Sequence, residues 1–146
     1  MSLQTDVIFY RALHSSEAFT LLVGESIYNT AIPLPDEELD NVRLPYAIIT
    51  HDGMANDTQS KDDPFEGEFD TESIGIILVA ATRPKLAELS EIARHAIHDF
   101  FCNLPDDDAD YNLVPLDYRL SAQGIQYDQY KPCYWTKLNY QCDTNV

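Results

Sequence analysis

Two stretches of the chain repeat apolar residues at three-to-four spacing, and five others carry the short alternating or continuous apolar runs of strands. The first helix is predicted to run from Ser2 as its cap through Leu3, Val7, Tyr10 and Leu13, ending near His14. Ser15, Ser16 and Glu17 then read as a new cap, followed by a short apolar helix over Ala18 to Val23 that Gly24 closes. The longest helix opens at Pro84 and stops by Asn103. Leu86, Leu89, Ala93, Ala96 or Ile97, Phe100 and Leu104 form its apolar stripe.

The strand candidates are Ile27 to Ile32, Leu44 to Thr50, Glu72 to Ala81, Leu116 to Gln123 and Cys133 to Cys142. The third has apolar or small residues in both alternating sets, Ile74, Ile76, Leu78 and Ala80 against Gly75, Ile77, Val79 and Ala81. Such a strand is central, with helices on one face and more protein on the other, and a second subunit is one source of that cover. Tyr127 to Pro132 reads as the connection of a C-terminal antiparallel hairpin. The order of elements predicts a single α+β domain over residues 1–146. Its sheet is mixed and mostly antiparallel, with one long amphipathic helix and an N-terminal helical segment packed on it.

Between the second and third of these strands lies a long acidic hairpin loop, about residues 52–70, with seven carboxylates against the single cation Lys61. Connections of this length are functional, mobile or ordered by a partner, or they are solvated hairpin tips. A second acidic run, Asp106 to Asp110, is predicted to be an exposed turn.

Charge narrows the partners. Nine Lys and Arg stand against 25 Asp and Glu, a net charge of −16. Gripping nucleic acid takes clustered cations, and an anionic membrane surface repels such a chain. The N-terminal residues show no secretory signal pattern, and no stretch has the length of a membrane span. Cys102, Cys133 and Cys142 are odd in number and widely spaced, which predicts free thiols in a reducing cytosol.

Candidate chemistry concentrates on the long helix. Glu88, Glu91, His95, His98, Asp99 and Cys102 fall within an arc of about 100°. Glu91, His95 and His98 have the spacing of a metal site, but the arc also lies opposite the apolar stripe, where a solvated polar surface is expected. Neither the zinc-peptidase order nor the di-iron pair is present. The Asp106 run lacks the glycine and the final glutamate of a calcium loop. No serine or cysteine sits in a nucleophile signature, no glycine-rich phosphate cradle exists, and His14 and His51 read as isolated. No catalytic residue and no cofactor is expected. Six of nine tyrosines and the single tryptophan fall between Tyr111 and Tyr140, a density that suits cross-strand stacking or an interface.

The run Phe19-Thr20-Leu21-Leu22-Val23-Gly24-Glu25-Ser26-Ile27-Tyr28 leading to Pro33, then Leu44-Pro45-Tyr46-Ala47-Ile48-Ile49, the apolar strand at Ile76 to Val79 and the helix with Leu89, Ile92, Ala96 and Ile97 together resemble the phage tail-completion proteins, also called tail terminators or head-to-tail joining proteins. About two thirds of the chain carries this resemblance. It implies a non-enzymatic structural protein of a phage or prophage tail, in the host cytoplasm during assembly and then in the virion tail. Such a protein forms a ring, usually a hexamer, that caps the tail tube and joins it to the head connector. Its partners are other copies of itself, the tube and connector proteins, and DNA that passes through the lumen without specific binding; no membrane is involved. The residues expected at subunit or tube contacts are Asp57, Asp62, Asp63, Phe65, Glu66 and Glu68 on the acidic loop, Ile77 and Val79 on the central strand, and Tyr134 and Trp135 on the last. Acidic residues of the loop or of the Asp106 turn would line the lumen and repel phosphate. Two other classes stand beside this one: a small intracellular enzyme or binding domain using metal on Glu91, His95 and His98, and a monomeric module that binds a protein through its aromatic hairpin.

Overall fold

The computed structural model describes residues 4–32, 42–56 and 69–145. Helices α1 (Thr5–Ser15) and α2 (Glu17–Val23) open the chain. Strands β1 (Ile27–Asn29), β2 (Tyr46–Asn56) and β3 (Phe69–Ala80) follow, then the long helix α3 (Arg83–Asn103). A 3-10 turn at Tyr111–Leu113 leads into β4 (Asp117–Ala122), β5 (Gln126–Asp128) and β6 (Cys133–Asn145). The strands form one sheet in the order β1-β2-β3-β6-β4, with β5 also on β6. Among the described strands only the β1–β2 pairing is parallel, so the fold is α+β with a mostly antiparallel mixed sheet.

The helices pack their buried residues into one cluster with one face of this sheet. Ile8, Phe9 and Leu13 of α1, Phe19 of α2, and Leu86, Leu89 and Ile97 of α3 meet Ile49, Ile74, Ile76, Leu78, Leu138 and Tyr140. Each fully buried aliphatic side chain contributes about 1.5–3 kcal/mol of transfer free energy. Caps define the helices locally. The Ser16 hydroxyl accepts from the Phe19 amide, Thr82 accepts from Lys85, and Pro84 lies in the first turn of α3, where a missing donor is harmless. Gly24 ends α2 with φ +62°, a conformation that a side chain disfavours.

Four expectations need correction. The buried stripe of α1 is Thr5, Ile8, Phe9, Ala12 and Leu13, while Val7 is exposed and Tyr10 half-buried. The large Phe9 ring wins the inward position because it packs edge to face with Phe101 and tilted against Tyr140. The acidic loop is shorter at both ends than residues 52–70, since 52–56 and 69–70 belong to paired strands. Of these polar positions, Asp52 reaches across β3 to Lys137 of β6 at 2.9 Å. Within Tyr127 to Pro132, Tyr127 and Asp128 belong to β5, so that β4 and β5 share one edge of β6 on either side of residues 123–125. The Asp106 turn is only partly free, as described below.

Candidate functional site

Every described helix lies on the core face of the sheet, so the opposite face is the candidate contact surface. Strand register assigns its residues, because cross-strand neighbours share a face. Tyr46 pairs with Val79 and Val79 with Trp135; Tyr28 pairs with Ile48, and Ile48 with Ile77. The result is a strip of apolar and aromatic side chains across four strands. Tyr28 and Tyr46 meet edge to face with centroids 6.3 Å apart. Val79 is buried between larger neighbours, at 5 % exposure, while Ile77, Ile48, Tyr46 and Trp135 are half-buried.

The strip ends at a charged bridge. Lys137, the cross-strand partner of Ile77, turns toward Asp52, and the Thr50 hydroxyl donates to the same carboxylate at 2.8 Å. Gly75 lies directly beneath. A Cβ there would stand 2.3 Å from Lys137 Cε, 2.6 Å from Asp52 Oδ2 and 2.7 Å from Thr50 Oγ1. Glycine in this central strand is therefore a matter of space: it lets the bridge lie flat on the sheet. Beyond it the face is polar, with Arg119 paired to Asp143 at 3.1 Å.

Of the expected contact residues, Ile77, Val79 and Trp135 come together on this face. Tyr134 lies on the other one, half-buried against the core, its ring 4.9 Å from that of Tyr127. Asp57, Asp62, Asp63, Phe65, Glu66 and Glu68 lie outside the described residues.

The aromatic concentration near the C-terminus divides between core and surface. Tyr140 and Tyr118 form a chain of ring contacts with Phe9 and Phe101. Burial pushes both phenols up from their ordinary pKa. Tyr130, in contrast, is fully exposed.

The metal candidates separate. His95 Nε2 lies 3.0 Å from Glu91 Oε1, and Arg94 shares that carboxylate at 3.4 Å. His98 instead places Nδ1 2.8 Å from Tyr118 Oη and Nε2 3.7 Å from Cys102 Sγ. Among the described residues no group of three His, Cys, Asp or Glu side chains converges as a metal cage. The arc from Glu88 to Cys102 is exposed throughout. His95, His98, Arg94 and Tyr118 border a surface cleft of about 220 Å³.

Two polar clusters escaped sequence reasoning. Glu72 is fully buried on the core face, where Thr5 and Thr144 both donate to Oε2 and His51 Nε2 lies 3.0 Å from Oε1. His51 is thus not isolated; it is a half-buried partner of a buried carboxylate. At the Asp106 turn, Arg11 grips Asp108 with its two terminal guanidinium nitrogens, at 2.6 and 2.8 Å, and reaches Asp110 at 3.0 Å. The hydrogen bonds from Arg11 hold the Asp108 carboxyl down at about 2. Arg11 also stacks over Phe100, 5.3 Å from the ring centre. The cations Arg11, Lys85, Arg94, Arg119 and Lys137 each face a carboxylate, so these five build no phosphate-binding patch.

No family model matches the sequence, and comparison with curated proteins returns no match. Among solved structures, the chain aligns with one from "Virion of native gene transfer agent (GTA) particle". The TM-score is 0.55 at 15 % identity, over 97 % of this chain and 94 % of that one. At this identity the likeness is one of fold. Among the described residues, no helix is long and apolar enough to cross a membrane.

Proposed function

We propose that this chain is a structural, non-enzymatic subunit of a phage or phage-like virion, and within it the ring-forming tail terminator that caps the tail tube and meets the head connector. The observation that carries the reading is the end-to-end agreement in fold with a chain of a gene transfer agent virion. The sequence resemblance to tail-completion proteins points the same way through different evidence.

The open sheet face supplies the means of assembly. Its apolar strip buries further on contact with a neighbouring copy, and aromatic residues such as Tyr46 and Trp135 are favoured interface anchors. A closed ring needs head-to-tail contacts between unlike surfaces, so this face meets a different patch of the next subunit. The charge then fits the cargo. A net −16 repels the DNA backbone, and Arg11, Lys85, Arg94, Arg119 and Lys137 are already held by carboxylates. DNA passes through such a ring without being gripped.

Light scattering on the purified chain tests self-association. A hexamer of 16.6 kDa subunits runs at roughly 100 kDa. A monomer mass that persists across concentrations and in the presence of tail tubes would refute the ring.

A further inference from the structure

We propose that His98 and Cys102 on the exposed face of α3 form a two-ligand chelate for a thiophilic divalent cation of the zinc class. The pair lies one helical turn apart, with His98 Nε2 3.7 Å from Cys102 Sγ. A tetrahedral ion bound at about 2.0–2.1 Å to nitrogen and about 2.3 Å to sulfur holds those two atoms about 3.5 Å apart. The observed separation lies within a few tenths of an ångström of that span.

The imidazole is already oriented for this. With its proton on Nδ1, His98 donates to Tyr118 Oη at 2.8 Å and turns the Nε2 lone pair toward the thiol. That second hydrogen bond is the support metal-bound histidines ordinarily have. Tyr118 is itself fixed, its ring packed between Phe101 and Tyr140. With Nε2 unprotonated, that nitrogen accepts from the Cys102 S–H. On binding, the S–H bond breaks, its proton goes to solvent, and the thiolate sulfur and Nε2 each donate an electron pair to the ion. No electron transfer is involved.

Cys102 is exposed, whereas Cys133 and Cys142 are buried, and burial pushes the Cys142 thiol up to about 12. Cys102 is therefore the accessible sulfur ligand. Glu91 and His95 are engaged with each other and lie outside the chelate. The remaining positions on the ion face solvent, which makes the site open rather than caged.

Cobalt(II) titration of the full-length chain under a phosphine reductant provides the test. One equivalent should bind with a thiolate-to-cobalt charge-transfer band, and zinc should displace it. Cys102→Ser should abolish the band and His98→Ala should weaken binding at least tenfold. Tyr118→Phe should weaken it about tenfold, the scale for loss of a supporting hydrogen bond. His95→Ala should change nothing, and circular dichroism should show each variant folded. Absence of the band with cobalt in excess would overturn the proposal. So would a band that survives in Cys102→Ser, or one that depends on His95 instead of His98.

Discussion

Replacing Glu72 by alanine probes the polar group buried most deeply among those linking the N-terminal helix to the sheet. Its carboxylate has no exposure and joins α1, β2 and β6 through Thr5, His51 and Thr144. Truncation strands these donors unequally. His51, with 18 % of its side chain exposed, can turn to water, and Thr144 retains the Asp70 carbonyl at 3.3 Å. Thr5, only 2 % exposed, has no such exit. An orphaned buried hydroxyl costs about 1–3 kcal/mol, and the lost hydrogen bonds to a charged acceptor add to it. The expected loss is about 3–4 kcal/mol, in the range for breaking a buried polar pair. A domain of this kind has about 5–15 kcal/mol in total. Glutamine should behave differently. Its amide oxygen accepts from both threonines while its NH2 faces His51, which needs only the other tautomer, so Glu72→Gln should cost about 1 kcal/mol. Urea denaturation separates the cases: with m about 1–3 kcal/mol per molar, the alanine midpoint should fall by roughly 2 M with m unchanged. An alanine variant within 0.5 kcal/mol of the parent would refute the reasoning, as would a glutamine variant as weak as alanine.

Other variants test separate parts of the molecule. Gly75→Val should lose about 1–3 kcal/mol by overpacking beneath the Lys137–Asp52 bridge, and a gain in the urea midpoint would contradict that steric argument. Ile77→Glu places a carboxylate beside its cross-strand partner Lys137, so the folded subunit should lose only about 1 kcal/mol while self-association disappears in sedimentation. Unaltered self-association would remove the open face from the interface. Asp108 should titrate near 2 by NMR, and Arg11→Ala should return it toward the ordinary carboxylate value of about 3.9. Because the folded carboxyl is depressed, its stabilising contribution is present above that ordinary value and fades as pH falls toward 2. The variant should lack that part of the acid dependence, and an unchanged Asp108 midpoint would deny the pairing.

Local patterns carried most of the architecture. Helix α3 announced itself through an early proline and the run Leu86, Leu89, Ala93, Ile97, all of which depend on near neighbours. Likewise β3, apolar on both alternating sets, was readable as a central strand with one face under helices. Long-range pairing was out of reach. Glu72 looks like the polar start of a strand until Thr5, 67 positions away, and Thr144, 72 positions away, are brought to it. Asp108 belongs to an acidic run that suggests solvent, yet Arg11 stands 97 positions upstream. In α1, two apolar stripes competed on one short helix, and the choice fell to Phe9 through rings contributed by α3 and β6. The candidate interface was visible as Ile77, Val79 and Trp135, while its aromatic members Tyr28 and Tyr46 needed the strand order to join them.

Counting this chain in purified particles tests the central claim most directly. Quantitative mass spectrometry against the head-connector protein, with immunogold electron microscopy of the same particles, reads both copy number and position. A ring-forming tail terminator predicts on the order of six copies per particle, labelled at the junction of head and tail. Absence of the chain from DNA-filled particles, or label along the whole tube or over the head shell, would contradict it.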